Sequence, residues 1–261
     1  MTKLFNSIIV GPIHSRRLGS SLGINLLPQY GKLCNFDCIY CECGWNKDGR
    51  VDSQLPTAEE VEEALSLRLK EAIKENIHID SITYSGNGEP TLHPQFAEIV
   101  DITVKLRDRY YPSANISLLS NATRIGREDI RKAISKVDNP ILKIDSPINE
   151  YIKKINRPWQ GYCLSEIIEN LKSLKGNFIL QTMFLKGEFK DESDSVLIDC
   201  TSEQNVQMWR DLVRVLSPRK VMIYSLDRPA PQEGLVKVSA QKMKEIAQPL
   251  IDEGFKIDIA E

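Results

Sequence analysis

Six short apolar runs alternate with stretches of helical periodicity, and this alternation constrains the fold more than any other feature. The runs cover residues 22–27, 82–85, 116–120, 141–145, 178–184 and 221–226. Between them, Thr57 and Glu60 stand at capping-box spacing, and Val61, Leu65, Leu69 and Ile73 follow at intervals of four. Further helical stripes run through Phe96, Ile99, Val100, Thr103 and Leu106, through Ile167, Ile168, Leu171 and Leu174, and through Val206, Trp209, Leu212, Val213 and Leu216. A last helix is expected over 239–251 and a closing strand over 255–259. Crossovers of this length are too long for hairpins and imply parallel strands, in either a doubly wound sheet or a barrel-like arrangement. No linker or repeat interrupts the pattern, so one domain is expected.

The chain carries 34 Lys+Arg against 36 Asp+Glu, a formal charge of −2. It therefore has no general electrostatic drive toward nucleic acid or an anionic membrane. No window approaches the ~18 uninterrupted apolar residues of a membrane span. The start lacks a cationic segment followed by a signal-peptide core, which predicts a cytoplasmic protein.

Four of the six cysteines lie within ten residues: Cys34, Cys38, Cys41 and Cys43. In an intracellular chain such a cluster reads as a metal site rather than a disulfide framework. A structural zinc site draws two ligand pairs from separated positions, and no second pair exists here. Three thiolates from one short loop suit one face of an iron–sulfur cluster whose fourth iron is left open. Cys43 follows Cys41 too closely to serve as a fourth ligand. A zinc-binding structural protein and a cluster-only electron carrier remain the alternatives from other classes. The turn Gly86-Asn87-Gly88-Glu89-Pro90-Thr91 is by itself weak evidence. It reads either as a strand-to-helix turn capped by Glu89 or as part of a ligand site.

Together these segments resemble the radical S-adenosylmethionine (radical SAM) enzymes. Cys34, Cys38 and Cys41, with Tyr40 before the last of them, resemble the cluster loop. Gly86-Asn87-Gly88-Glu89-Pro90 resembles the glycine–glutamate motif, although Asn87 stands between glycines that are often adjacent. Gly11-Pro12-Ile13-His14-Ser15-Arg16-Arg17-Leu18-Gly19, Ser21-Leu22-Gly23-Ile24-Asn25, Lys143-Ile144-Asp145-Ser146, Ile155-Asn156-Arg157-Pro158 and Asp227-Arg228-Pro229-Ala230 resemble signatures of the wyosine-synthase-like, MoaA/NifB-like Fe–S oxidoreductase subgroup. The resemblance implies a partial (β/α)6 barrel: an extension over 1–21, a core over 22–226, and a C-terminal helix and strand over 227–261. It also implies a [4Fe–4S] cluster on Cys34, Cys38 and Cys41, and SAM chelating the open iron. Reductive cleavage of SAM would yield a 5′-deoxyadenosyl radical that abstracts a substrate hydrogen atom.

On that reading Gly86, Gly88 and Glu89 face the methionyl end of SAM and Tyr40 faces the adenine. Ser120, Asn121 and Asp145 are candidates for the ribose hydroxyls, with Gln181 as a further SAM-side residue. The cysteine loop, Gly86–Glu89, Ser120-Asn121, Asp145-Ser146 and Asp227-Arg228 each follow an expected strand, which would gather them on one rim. Arg16, Arg17, Arg157 and Arg228 are expected to converge there on an anionic substrate. The implied partners are a small-molecule, peptide or nucleotide substrate and a low-potential reductant such as flavodoxin or ferredoxin. Modification of a tRNA base is the alternative reaction, disfavoured by the charge of −2.

Overall fold

A computed structural model describes residues 4–49, 53–191 and 194–260. These divide into two compact units, one holding the described residues up to Asn35 together with Asn46–Ile141, the other holding Phe36–Trp45 and the described residues from Leu142 onward.

The first unit opens with β1 (Ile9–Ser15) and β2 (Gly19–Ile24), an antiparallel pair joined by a tight turn. It continues through α1 (Ala58–Lys74), β3 (Ser81–Tyr84), α2 (Phe96–Tyr110), β4 (Asn115–Ser120) and α3 (Glu128–Ile134). β2, β3 and β4 are neighbours and parallel, with Ile24 opposite Tyr84 and Tyr84 opposite Leu118. Their carboxyl ends therefore share one edge. The expected capping box starts α1: Glu60 N–H donates to Thr57 Oγ1 at 3.2 Å, and Thr57 N–H donates to Glu60 Oε2 at 2.7 Å. Val61, Leu65 and Leu69 then bury one face of that helix.

β5 (Asn139–Lys143) runs through the division between the units. In the second unit follow α4 (Asn149–Asn156), α5 (Leu164–Ser173), β6 (Ile179–Met183), β7 (Leu185–Asp191), β8 (Asp194–Asp199), α6 (Glu203–Leu216), β9 (Lys220–Tyr224), β10 (Leu235–Lys237), α7 (Ala240–Asp252) and β11 (Ile257–Ala260). β6, β9 and β11 are parallel neighbours. β10, β7 and β8 form a separate antiparallel sheet. Trp209 of α6 is fully buried, edge-on to Phe184 at 5.2 Å, and its Nε1–H donates to Thr182 Oγ1 at 3.0 Å.

The six expected parallel strands are β2, β3, β4, β5, β6 and β9, and the expected closing strand is β11. Residues 1–21, read as an extension, include β1 and the start of β2. The small three-stranded sheet and the short helices α3 and α4 were not expected. Among the described residues, no helix is long and apolar enough to cross a membrane.

Candidate cofactor site

The cysteine loop has an anchorage in each unit. In the first, the Leu33 N–H donates to the Asn87 carbonyl at 2.9 Å, and the Leu33 carbonyl accepts the Glu89 N–H at 3.0 Å. Leu33 and Gly88 thus form a parallel bridge. Asn87 is itself held, since its N–H donates to Asn25 Oδ1 at 3.0 Å and its Nδ2 to the Pro28 carbonyl at 2.7 Å. The two glycines of the turn are required by this packing. A Cβ on Gly86 would overlap Asn25 Oδ1, and one on Gly88 (φ +138°) would overlap the Leu33 carbonyl oxygen.

Glu89 is buried at the start of the short 3-10 turn Pro90–Leu92. Its Oε1 accepts from Thr91 N–H at 3.1 Å, Thr91 Oγ1 at 2.5 Å and Ser120 Oγ at 2.8 Å, while Oε2 accepts the Asn121 N–H at 2.7 Å. Burial pushes its carboxyl above the usual range, and these four donors act against that rise. Ser120 Oγ also accepts the Ala122 N–H at 3.1 Å. Asn121 Oδ1 accepts from Thr123 N–H and Oγ1 at 3.1 and 2.7 Å. Its Nδ2 donates to Asn35 Oδ1 at 2.7 Å and points at Cys34 Sγ from 3.8 Å. The side-chain acceptors of Ser120 and Asn121, expected at the ribose hydroxyls, also serve backbone and hydroxyl donors of their own unit. Glu89 is correspondingly a clamp joining the ends of β3 and β4 as well as a turn cap.

In the second unit, the Asp37 and Ile39 N–H groups donate to the carbonyls of Asn156 and Ile155, both at 2.9 Å. Those are the last carbonyls of α4, which have no partner within the helix. The Cys41 N–H closes a turn onto the Cys38 carbonyl at 3.1 Å. Cys38 is 6% exposed, and two donors face its sulfur: Lys143 Nζ at 3.4 Å and Asn156 Nδ2 at 3.3 Å. The Asp145 side chain is fully buried. Its Oδ1 accepts the Met183 N–H at 3.0 Å; its Oδ2 accepts from Tyr40 Oη and from Asn156 Nδ2 at 2.6 Å, and pairs with Lys143 at 3.3 Å. Lys143 Nζ also donates to Tyr40 Oη at 2.7 Å.

Burial raises the Cys38 thiol above its ordinary value, and Lys143 and Asn156 oppose the rise. Burial first, then the Asp145 carboxylate, hold the Tyr40 phenol well above its usual range, so it stays protonated and donates to Asp145. Gln181 of β6 is 6% exposed, and its Nε2 has no hydrogen-bond partner among the described residues. Lys143 and Asn156 join this cluster as functional candidates, although the motifs that contain them imply no role for either. The signal was present in Lys143-Ile144-Asp145, where residues 143 and 145 share a side of an extended segment.

Of the four arginines expected at an anionic substrate, two lie in each unit. Arg16 and Arg17 occupy the turn between β1 and β2, at the amino end of β2, whereas Glu89 and Ser120 lie at the carboxyl ends of the parallel strands β3 and β4. A six-residue strand separates the two edges, roughly 20 Å. Arg157 ends α4 in the left-handed conformation, φ 44°, stacks over Trp45 and pairs with Asp191 at 3.0 Å. Arg228 is 56% exposed and pairs with Glu42 at 2.5 Å. Their partners are the protein's own acids and rings.

Among the described residues, no three Cys, His or carboxylate side chains are already gathered as a metal site. The fit to a cluster lies in the surroundings of individual sulfurs. N–H donors at Cys34 and Cys38 suit thiolates, and an ammonium beside Cys38 offsets negative charge in a buried place.

Residues 29–197 match the model of the Radical SAM superfamily. The chain is 31% identical over 236 residues to a UPF0026 protein of Methanocaldococcus jannaschii, covering 88% of this chain and 67% of that protein. A radical SAM methyltransferase from Sphaerobacter thermophilus superimposes with a TM-score of 0.64 at 14% identity, covering 92% of this chain and 65% of that one. TYW1, solved with a lysine-pyruvate adduct bound, does so with a TM-score of 0.60 at 16% identity, covering 92% and 76%. The chain thus spans about two thirds of the archaeal relative and of the methyltransferase. It belongs to the radical SAM superfamily, enzymes whose cofactors are a [4Fe–4S] cluster and SAM. The structural likenesses show the fold, the α/β partial-barrel class that the sequence implied.

Proposed function

We propose that this chain cleaves SAM reductively at a [4Fe–4S] cluster held by Cys34, Cys38 and Cys41, and that it removes a hydrogen atom from its substrate. The observation that carries the reading is the match to the superfamily over residues 29–197, which contains all three cysteines. When bound, the cluster and SAM supply an electron and a carbon-centred radical that abstracts hydrogen. The chain's own residues supply position and environment. The turns at 33–35 and 37–41 fix the backbone that carries the thiols. Lys143 and Asn156 direct donors at Cys38, and Asn121 directs one at Cys34. Glu89 Oε2 accepts one described hydrogen bond, which leaves that oxygen a lone pair for the methionyl ammonium. The Gln181 amide has an N–H donor to offer the nucleoside end.

Anaerobic reconstitution followed by iron and sulfide analysis and assay of 5′-deoxyadenosine tests this reading. About four irons per chain and SAM-derived 5′-deoxyadenosine support it. Bound zinc without sulfide overturns it.

A further inference from the structure

Resting on the cluster assignment above, we infer that Lys143 and Asn156 are positioning residues that raise the reduction potential of the cluster through the Cys38 sulfur. Both donors approach one buried sulfur, Lys143 Nζ at 3.4 Å and Asn156 Nδ2 at 3.3 Å. Reduction adds one electron to the cluster and its thiolates. A nearby ammonium and an aimed N–H dipole therefore favour the reduced form over the oxidised one, most strongly where water is excluded.

Both donors are fixed from behind. Asp145 Oδ2 pairs with Lys143 at 3.3 Å and accepts from Asn156 Nδ2 at 2.6 Å, while Asp145 Oδ1 is pinned to the Met183 N–H at 3.0 Å. Tyr40 Oη accepts from Lys143 at 2.7 Å and donates to Asp145. Lys143 is 14% exposed, and Asn156 is fully buried at the end of α4. Such an arrangement restricts both side chains to the geometry in which they face the sulfur. The two contributions differ in kind: Asn156 adds a dipole without charge, and Lys143 adds a dipole and a positive charge.

The test is a redox titration of the reconstituted full chain followed by electron paramagnetic resonance, with iron content measured on the same samples. Lys143→Met keeps the aliphatic stem and removes the ammonium. It should retain about four irons per chain while its midpoint shifts negative by about 59 mV, a tenfold change in the ratio of reduced to oxidised cluster. Asn156→Leu should shift the midpoint in the same direction by less, and Lys143→Arg should recover most of the wild-type value. A full cluster at the wild-type potential in both Lys143→Met and Asn156→Leu overturns the inference and leaves the pair a purely structural role. If Lys143→Met does not fold, Asn156→Leu decides alone by the same criterion. Wild-type protein that holds no cluster overturns instead the reading on which the inference rests.

Discussion

Gly88 and Leu33 face one another as a parallel bridge in which a Gly88 side chain would overlap the Leu33 carbonyl oxygen. The residue before the first cysteine of the cluster loop is thereby fixed to the turn that follows β3. Gly88→Ala meets both this overlap and a φ of +138°, which L-residues rarely adopt. The expected cost is about 1–3 kcal/mol from backbone strain alone. A lower midpoint in denaturant unfolding, together with a lower iron content after reconstitution, checks it. A variant as stable and as iron-replete as the wild type would show that the bridge is dispensable.

Glu89→Ala removes the acceptor of four donors in a buried place. Two of those donors are backbone N–H groups that cannot turn away. Stability should fall by about 1–3 kcal/mol for each donor left without a partner, and SAM affinity should fall as well. Thermal melting of the cluster-free chain isolates the first effect, because no cofactor takes part in it. An unchanged melting temperature would mean that the clamp between β3 and β4 contributes nothing.

His93 supplies the pH dependence. Its ring accepts the Gln95 N–H on Nδ1 at 3.1 Å and bonds the Pro56 carbonyl through Nε2 at 2.8 Å, an arrangement that needs the neutral ring. Burial lowers its pKa below the ordinary 6.5. The unfolded chain therefore takes up the proton first as pH falls. The His93 contribution is fully present above pH 6.5 and is lost as pH drops through the lowered folded value. Wild-type stability measured across that window should fall more steeply than that of His93→Gln. Parallel curves for the two proteins would remove His93 from the account.

Much of the fold is legible in the sequence because parallel strands buried on both faces are short apolar runs. Residues 82–85 and 116–120 are of this kind and form β3 and β4. β1 escapes because Pro12 and exposed Ile13 and His14 break its apolar pattern. β7 escapes because charged residues interrupt it, and β8 because Leu197 in its apolar middle is exposed; both sit in a sheet of their own. The cysteines announce themselves by spacing. The roles of Glu89, Ser120 and Asn121 do not, since a polar residue at a strand end reads the same whether it faces a ligand or a neighbouring backbone N–H. For Arg16 and Arg17 the edge is legible in the sequence, since residues that precede a strand lie at its amino end, away from the rim that carries Glu89 and Ser120.

The central claim is that Cys34, Cys38 and Cys41 hold the cluster at which SAM is cleaved. It is tested most directly by iron content and 5′-deoxyadenosine formation in reconstituted Cys38→Ala, with Cys163→Ala as the control. Cys163 is exposed and hydrogen-bonded to Ser165 at 3.2 Å, at the start of α5. The account predicts that Cys163→Ala keeps about four irons and cleaves SAM, while Cys38→Ala loses both. A Cys38→Ala protein that retains a full cluster and wild-type SAM cleavage would contradict it.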